Sequence, residues 1–325
     1  MPDSVHIVYY NSYASEEVYN MISEVMPPGM QLLTLERDDE KHRLEKISSA
    51  HVAIVAATPL TRRIIDAAKR LELVHHQGVG YQDTVDTEAL KQRGIPLALT
   101  PEGTTTPVAE MAILLMLAVY RRLPYADAEL RRGRWHINAL RPVSRNLNGR
   151  MIGYIAMGRI GQATAALARA FGATGIYYDT APVLSPQEAT ALNLQAASFD
   201  EVIEQADIVT LHIPPSPEVR YMIGKDVLAR MKPGAILINT ARGMLVDEYA
   251  LFEALRSGHL SGAGLDVFET EPPRPDNPLL TLPNVVLTPH ISGGTRDAFQ
   301  TKMKAIFENI HRFYSGQPLK NPVSM

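Results

Sequence analysis

The sequence has no cysteine among its 325 residues and only one tryptophan. Without cysteine the chain cannot form a disulfide, a thiolate-ligated zinc site or a cysteine nucleophile. These three chemistries are therefore excluded. The lack of cysteine is compatible with a reducing compartment, and we expect the protein to be cytoplasmic.

Long apolar runs and an excess of one charge sign are missing as well. No segment approaches the roughly 18–20 consecutive apolar residues that span a bilayer, and the longest run, 111–120, is better interpreted as a buried helix. The N-terminal segment has an acid at Asp3 and only a short apolar run, so we do not expect a signal peptide. The net charge of −3 gives no reason to expect a nucleic acid or a membrane as a partner.

What the sequence does contain is a regular alternation of short β-branched runs and helical patterns. Its length suits two domains. A long helix is predicted from about Pro107 to about Arg122. The alternation predicts an α/β fold with doubly wound parallel sheets covered on both faces. Strands are predicted at 5–10, 51–57, 71–76, 96–100, 151–157, 175–179, 207–213, 235–240, 262–267 and 285–289.

Helix ends and domain limits can be predicted from single residues. Ser198 with Glu201 has the spacing of a capping box, Asp247 is suited to begin a helix, and Gly258 to end it. A last helix is predicted at about 295–315. We expect a substrate domain formed by residues 1–101 with 291–325, and a cofactor domain formed by residues 102–290.

The segment 151–179 is a strand, a glycine turn, a helix and a second strand that ends in an acid. In such a unit the turn glycines let backbone N–H groups approach a pyrophosphate at the helix N-terminus. Gly158 and Gly161 occupy the second and third positions of the G-x-G-x-x-G pattern, whereas Ala156 replaces the first glycine. An alanine can serve there if its φ angle stays negative. A packed strand–helix turn without a cofactor remains the alternative.

An acid at the end of the second strand indicates which dinucleotide the turn would bind. Asp179 follows Gly161 by 18 residues, where a carboxylate accepts hydrogen bonds from the ribose hydroxyls. A 2′-phosphate would be repelled by this carboxylate, and the next Lys or Arg along the chain is Arg220. The sequence therefore favours NAD over NADP.

Three polar segments follow successive predicted strands, where an open α/β sheet builds its site. They are 238–248, 265–272 and 287–294, and they supply an arginine, acids and a histidine. A guanidinium can bind a carboxylate with two hydrogen bonds. An imidazolium can give a proton to a developing alkoxide, and a neighbouring carboxylate can orient it. This set is suited to hydride exchange at a 2-oxo acid.

Taken together, these motifs resemble those of the D-isomer-specific 2-hydroxyacid dehydrogenase family, and the resemblance extends through nearly the whole sequence. The motifs that carry the resemblance are AMGRIG (156–161), LHIP (211–214), NTARG (239–243), LDVFETEP (265–272) and TPHISGG (288–294), with weaker matches at HHQGVGYQDTVD (75–86) and TPVAEMA (106–112). The resemblance implies a Rossmann NAD-binding domain and a smaller flavodoxin-like substrate domain. It also implies a small 2-hydroxy or 2-oxo acid as substrate, with D configuration.

The resemblance implies a role for each matching residue. Arg242 would bind the substrate carboxylate, and Glu271 would pair with the acid–base residue His290. Backbone N–H groups of Val79 and Gly80 would also bind that carboxylate. The loop after Gly80 is one residue longer than the family leads us to expect, so its shape should differ. The expected cofactor-binding residues are Gly158, Arg159, Ile160, Gly161, Asp179, His212, Pro214, Thr240 and Asp266.

Other interpretations of the same residues stay open. His290 could be an ordinary surface histidine, Arg242 a structural ion-pair partner, and Glu271 a loop cap. The family also implies rival reactions, the oxidation of formate or phosphite, although formate-oxidising relatives are expected to carry glutamine at the position of Glu271. A role as an NAD-sensing binding protein is a further alternative. Glyoxylate and hydroxypyruvate are the substrates that we expect first.

Two features outside these motifs have simpler explanations. His75 and His76 are adjacent on a strand, so they point to opposite faces and cannot form a metal pair; no metal is expected. Residues 121–150 hold eight arginines and two acids. The family resemblance indicates a subunit-joining arm here, with Trp135 as its anchor, and hence a homodimer rather than a nucleic-acid surface.

Overall fold

A computed structural model describes residues 4–11 and 14–325; Asp3, which argued against a signal peptide, lies outside these ranges. The chain divides into two compact units. The first comprises Met1–Thr104 and Thr295–Met325, and the second comprises Thr105–Gly294. These limits lie within four residues of the predicted ones. The functions expected of the two domains stay predictions.

In the first unit all strands pair in parallel, in the order β2-β1-β3-β4-β5. This is the flavodoxin-like order, so the predicted fold is confirmed. Its strands are β1 (Val5–Tyr10), β2 (Met30–Leu33), β3 (Val52–Val55), β4 (Leu73–His76) and β5 (Leu97–Leu99). Its helices are α1 (Glu16–Val25), α2 (Glu40–Ser48), α3 (Arg62–Ala67), α4 (Thr87–Gln92) and the C-terminal α13 (Arg296–Tyr314).

The second unit has a parallel sheet in the order β12-β11-β10-β9-β6-β7-β8. Counted from β6, this is the Rossmann order, which reverses between β6 and β9. Its strands are β6 (Met151–Ile155), β7 (Thr174–Tyr178), β8 (Leu194–Ala196), β9 (Ile208–Leu211), β10 (Ile236–Asn239), β11 (Gly262–Leu265) and β12 (Val285–Leu287). Its helices are α5 (Thr105–Tyr120), α6 (Leu123–Arg131), α7 (Ile137–Leu140), α8 (Arg159–Ala170), α9 (Pro186–Ala191), α10 (Phe199–Gln205), α11 (Lys225–Arg230) and α12 (Glu248–Arg256).

Each sheet has a hydrophobic core on both of its faces. Along β1, Ile7 packs with Phe307 of α13, whereas the next residue, Val8, packs with the cluster that contains Ile65 of α3. Along β6, Tyr154 and Ile155 likewise belong to different clusters. Strands buried on both faces explain why these segments are continuously apolar rather than alternating.

All ten predicted strands are confirmed, with β7 beginning one residue earlier than expected. Two strands were not predicted, β2 (MQLL) and β8 (LQA). Both are outermost in their sheets, short, partly exposed and without β-branched residues. Their sequences therefore carry little of the strand signal.

The predicted helix ends are also confirmed. Ser198 and Glu201 form a capping box at α10, and Asp247 accepts a hydrogen bond from the Ala250 N–H at the start of α12. Gly258 follows α12 with a φ of 78°. A second capping box, Ser185 with Glu188, begins α9 and was not predicted.

The C-terminal segment completes the first unit at the edge strand β5. The Leu99 N–H donates to the Asn321 carbonyl (3.0 Å), and the Val323 N–H donates to the Leu97 carbonyl (2.8 Å). An exposed strand edge is thereby covered by the chain itself. Within the part of the chain that the structure describes, no helix is long and apolar enough to cross a membrane.

Candidate active site

The predicted site residues of the second unit all follow the carboxyl ends of its strands. The glycine turn follows β6, and Asp179 follows β7 directly. His212 follows β9, Thr240 follows β10, and Asp266 follows β11. Because parallel strands all end at the same edge of the sheet, these positions share one edge, on either side of the point where the strand order reverses.

The glycine turn leads into α8 without a side-chain cap. The N-cap residue is Gly158, which has no side chain that could accept a hydrogen bond. The N–H groups of Arg159 and Ile160 therefore begin the helix without a side-chain cap. A Cβ atom at Gly158 would meet nothing within 4 Å. At Gly161 a Cβ would lie 2.7 Å from the Ala156 carbonyl oxygen, so only glycine allows the helix to pass this close to the turn. A helix terminus of this kind is suited to bind an anion.

The condition under which an alanine was expected to serve in this turn, a negative φ, is not met by Ala156. Its φ is 71°, in the left-handed region that favours glycine. Two contacts hold the Ala156 backbone in this conformation. Its N–H donates to the Tyr178 carbonyl (2.8 Å), and its carbonyl oxygen lies close to Gly161 of α8. The alanine therefore adopts the glycine conformation and is strained.

Asp179 is tied to the glycine turn itself. One carboxylate oxygen accepts from the Met157 N–H (2.7 Å) and the other from the Ala181 N–H (3.3 Å). A carboxylate has about four lone-pair sites, so acceptor capacity for ribose hydroxyls remains. The structure thus places the predicted acid beside the predicted pyrophosphate turn.

Two buried polar atoms follow β9 and β10 without a hydrogen-bond partner among the described residues. They are Nδ1 of His212 and Oγ1 of Thr240. The His212 ring stacks on Tyr154, its Nε2 contacts the Thr210 hydroxyl (3.2 Å), and burial lowers its pKa to about 4, so it is neutral. Pro214 is exposed two residues further on. Buried polar atoms normally have partners.

These observations fit an NAD cofactor. The uncapped helix terminus suits a pyrophosphate, Asp179 suits a ribose, and the unpartnered polar atoms of His212 and Thr240 offer hydrogen bonds to a polar group. The residues that would hold the cofactor are those of the turn with Asp179, His212 and Thr240.

The turn that carries Arg242 is fixed from both sides. The Asn239 side chain accepts from the Ala241 N–H (3.0 Å) and donates to the Arg242 carbonyl (2.9 Å). A Cβ at Gly243 would lie 1.8 Å from the Phe268 carbonyl carbon, so glycine is needed for the turn to contact the segment before Glu271. Asn239 was not predicted as a site residue, although it lies within the NTARG motif.

His290 and Glu271 form the predicted pair. The His290 Nδ1 lies 2.7 Å from a Glu271 carboxylate oxygen, and the other oxygen accepts from the Phe268 N–H (3.0 Å). Burial raises the pKa of the Glu271 carboxyl, but the hydrogen bond and charge of His290, with smaller effects of Phe268 and Arg242, hold it below its usual value. Glu271 is therefore an anion that can stabilise an imidazolium.

Asp266 holds the segment that carries His290. It is fully buried, and its carboxylate accepts from the Thr288 hydroxyl (2.5 Å), the Ile291 N–H (2.9 Å), and both the N–H (2.8 Å) and the hydroxyl of Ser292. His290 has a φ of 52°, a strained conformation that these bonds maintain. Thr288 and Ser292 were not singled out by the sequence analysis. A contact of Asp266 with the cofactor stays a prediction.

Val79 and Gly80 lie in the first unit, in the loop that follows β4. The Val79 side chain is exposed, and its N–H is paired with no acceptor among the described residues. The two preceding histidines contact different partners. His75 contacts Thr100 and Asn309, whereas His76 contacts Gly78 and Thr84.

The chain is similar to known proteins in sequence and in fold. Residues 113–292 match the family model for the D-isomer specific 2-hydroxyacid dehydrogenase, NAD binding domain. The D-3-phosphoglycerate dehydrogenase of Methanocaldococcus jannaschii is 40% identical over 284 residues, which cover 87% of this chain and 53% of that relative. The glyoxylate reductase of Korarchaeum cryptofilum is 36% identical over 284 residues, which cover 86% of this chain and 85% of that relative. The chain thus spans about half the length of the phosphoglycerate relative.

A solved structure agrees over the whole chain. The TT0316 protein from Thermus thermophilus superimposes with a TM-score of 0.86 at 35% identity, covering 98% of this chain and 99% of that one. The fold and the strand-end residues define a protein with a Rossmann unit for a dinucleotide. The chain belongs to the D-isomer specific 2-hydroxyacid dehydrogenase family, and its cofactor is NAD.

The strain at Ala156 predicts the effect of restoring the missing glycine. Ala156→Gly should stabilise the protein by about 0.5–1 kcal/mol, because relief of the left-handed conformation exceeds the entropy that glycine adds to the unfolded chain. The apparent melting temperature should rise by about 1–2 °C. The control is Ala166→Gly at an exposed position within α8, which should cost about 1 kcal/mol. If Ala156→Gly and Ala166→Gly destabilise the protein equally, Ala156 is not strained.

Proposed function

We propose that the protein interconverts a small 2-hydroxy acid, of D configuration where the acid is chiral, and the corresponding 2-oxo acid, with NAD as hydride acceptor and NADH as donor. In the reducing direction a 2-oxo acid, NADH and a proton give the 2-hydroxy acid and NAD. The observation that carries this proposal is the 2.7 Å pair of His290 and Glu271 on the sheet edge that also bears the cofactor residues. The cofactor, when bound, supplies or accepts the hydride.

His290 would be the acid–base group. Its Nδ1 faces the Glu271 carboxylate, so the proton on Nδ1 is held there and Nε2 is the atom that exchanges a proton with substrate. During reduction the imidazolium gives its Nε2 proton to the oxygen that becomes the hydroxyl. Because Glu271 stays ionised, it stabilises the imidazolium and keeps the ring oriented.

Arg242 would bind the substrate carboxylate and polarise the adjacent carbonyl. A guanidinium presents paired N–H donors that match the two oxygens of a carboxylate. The effect of its charge on Glu271 is consistent with a position near the acid–base pair. Backbone N–H groups of Val79 and Gly80 would add donors to the same carboxylate, and the N–H of Val79, which has no acceptor among the described residues, supports this role.

Glyoxylate and hydroxypyruvate are the substrates that we propose first. Both were expected from the sequence, and glyoxylate is supported by the similarity to the glyoxylate reductase of Korarchaeum cryptofilum. The name of the Methanocaldococcus jannaschii relative adds D-3-phosphoglycerate as a compound to be tested in the oxidising direction.

The proposal is tested by following NADH and NADPH absorbance with purified protein against glyoxylate, hydroxypyruvate, pyruvate and phenylpyruvate. We expect turnover with at least one of these acids, and with NADH in preference to NADPH because of Asp179. Formate, phosphite and D-3-phosphoglycerate are tested with NAD. Turnover of formate or phosphite alone would overturn the proposed reaction, as would binding of NADH without turnover of any compound.

Removing the imidazole should abolish most of the proton transfer. His290→Ala is expected to lower kcat by roughly 10²–10⁴-fold while the Kd for NADH stays nearly unchanged. NADH fluorescence measures the Kd independently of turnover. The control is His311→Ala, an exposed histidine on α13, which should leave kcat unchanged. Near-normal turnover of His290→Ala would show that another group carries the proton.

We also propose that two copies of the chain associate through the arm formed by α6, the following turn and α7. Leu130, Trp135 and Ile137 expose 57%, 75% and 51% of their surface, which is unusual for large apolar side chains close together in the sequence. The buried carboxylate of Glu129 accepts from Arg132 (2.9 Å), Arg134 (3.2 Å) and His136 (2.9 Å). The turn is thereby held in a fixed shape, and its arginines are used within the arm.

Sedimentation at micromolar concentration should give twice the chain mass of 35.9 kDa. Trp135→Asp should sediment as a monomer, because a carboxylate cannot be buried in an apolar interface without a partner. Tyr249→Asp, at an aromatic residue on α12 that is 69% exposed, should remain dimeric. A monomeric wild-type protein would exclude the dimer, and dissociation of both variants would exclude the arm as the specific interface.

A further inference from the structure

The loop proposed to bind the substrate carboxylate begins at a buried histidine. His76 ends β4, and only 6% of its surface is exposed. Its Nδ1 accepts a hydrogen bond from the N–H of Gly78, two residues later (3.0 Å). This is the geometry in which an Asn or Asp side chain fixes a turn by accepting from the N–H two residues on.

The other ring nitrogen reaches the far end of the same loop. His76 Nε2 lies 3.1 Å from the Thr84 hydroxyl. Because Nδ1 must accept from a backbone N–H, the single proton of the neutral ring is on Nε2, which donates to Thr84. The Thr84 hydroxyl in turn donates to the Tyr81 carbonyl (3.4 Å). One imidazole therefore bridges residues 78 and 84.

The backbone on either side of this bridge is fixed to neighbouring segments. The Gly78 carbonyl accepts from the Thr100 N–H (3.1 Å), and the Thr84 carbonyl accepts from the Leu60 N–H (2.8 Å). Tyr81 begins a turn, since its carbonyl accepts from the N–H groups of both Thr84 (3.1 Å) and Val85 (2.9 Å). This turn lies where the loop was expected to be one residue longer than in the family.

We propose that His76 is a positioning residue for substrate binding, acting through the backbone of Val79 and Gly80. This inference rests on the proposed function, since it requires that these N–H groups bind a 2-oxo acid. A loop whose ends are already held loses less conformational freedom when an anion binds, and its N–H groups converge before the anion arrives. His76 itself does not contact the substrate in this arrangement.

The neighbouring His75 is also buried but supports a different part of the first unit. Its Nε2 accepts from the Asn309 side chain (2.9 Å), and that side chain also donates to the Lys320 carbonyl (2.9 Å). Its Nδ1 lies 3.2 Å from the Thr100 hydroxyl. His75 therefore connects β4 to α13 and the C-terminal segment, and it provides a matched control on the same strand.

The test measures KM and kcat of each variant with one 2-oxo acid. This is the acid, among the four tested above, that the wild-type protein reduces fastest. His76→Leu should raise KM by about 10–100-fold, because the loop must then be ordered at each binding event, with kcat within about twofold. His76→Asn should restore KM to within about threefold of wild type, because its side-chain oxygen can accept from Gly78. Thr84→Val should raise KM by a smaller factor. The NADH Kd should not change in any variant.

His75→Leu should lower the melting temperature about as much as His76→Leu but leave KM within about twofold. An unchanged KM in His76→Leu, or an equal rise in His75→Leu, would overturn the positioning role. If His76→Leu does not fold, the KM of Thr84→Val decides the question. A raised KM in Thr84→Val supports the positioning role, and an unchanged KM overturns it. A wild-type protein that reduces none of the four acids and does not oxidise D-3-phosphoglycerate contradicts the proposed function itself, whereas an active protein with an unaffected KM contradicts only this inference.

Discussion

Parallel pairing from β6 to β12 is the constraint on which the site of the second unit depends. Every strand of the sheet runs in the same direction, so the residues that follow the strands emerge at one edge. Positions as far apart in sequence as Gly158 and His290 are thereby placed on a common edge without any direct contact between them. Within the turns that follow the strands, a few local interactions, referred to below as local devices, are then enough to orient the side chains.

Those devices are mostly hydrogen bonds to backbone rather than contacts between side chains. Asn239 fixes the turn of Arg242, and Asp266 fixes the segment of His290 through four hydrogen bonds. Such bonds can hold a residue in a conformation that it would not adopt alone. His290 and Ala156 both have positive φ angles, and both lie where the backbone must turn sharply after a strand.

Histidines of the same chain have different properties because their surroundings differ. Burial lowers the pKa of His75 and of His212 to about 4, so both rings are neutral and serve as fixed hydrogen-bonding groups. His290 is exposed and faces a carboxylate that remains ionised. Only the last arrangement suits a group that gains and loses a proton, which is why the identity of a residue alone does not decide its role.

The sequence by itself determined the α/β class, the central strands, several helix caps and the motifs at strand ends, because each depends on a local pattern of a few residues. Tertiary structure decided what depends on distant neighbours: the edge strands β2 and β8, the positive φ of Ala156, and the partners of His75. Asn309 contacts His75 across 234 positions of the chain. No local pattern contains such a contact, because it exists only after α13 packs on the sheet of the first unit.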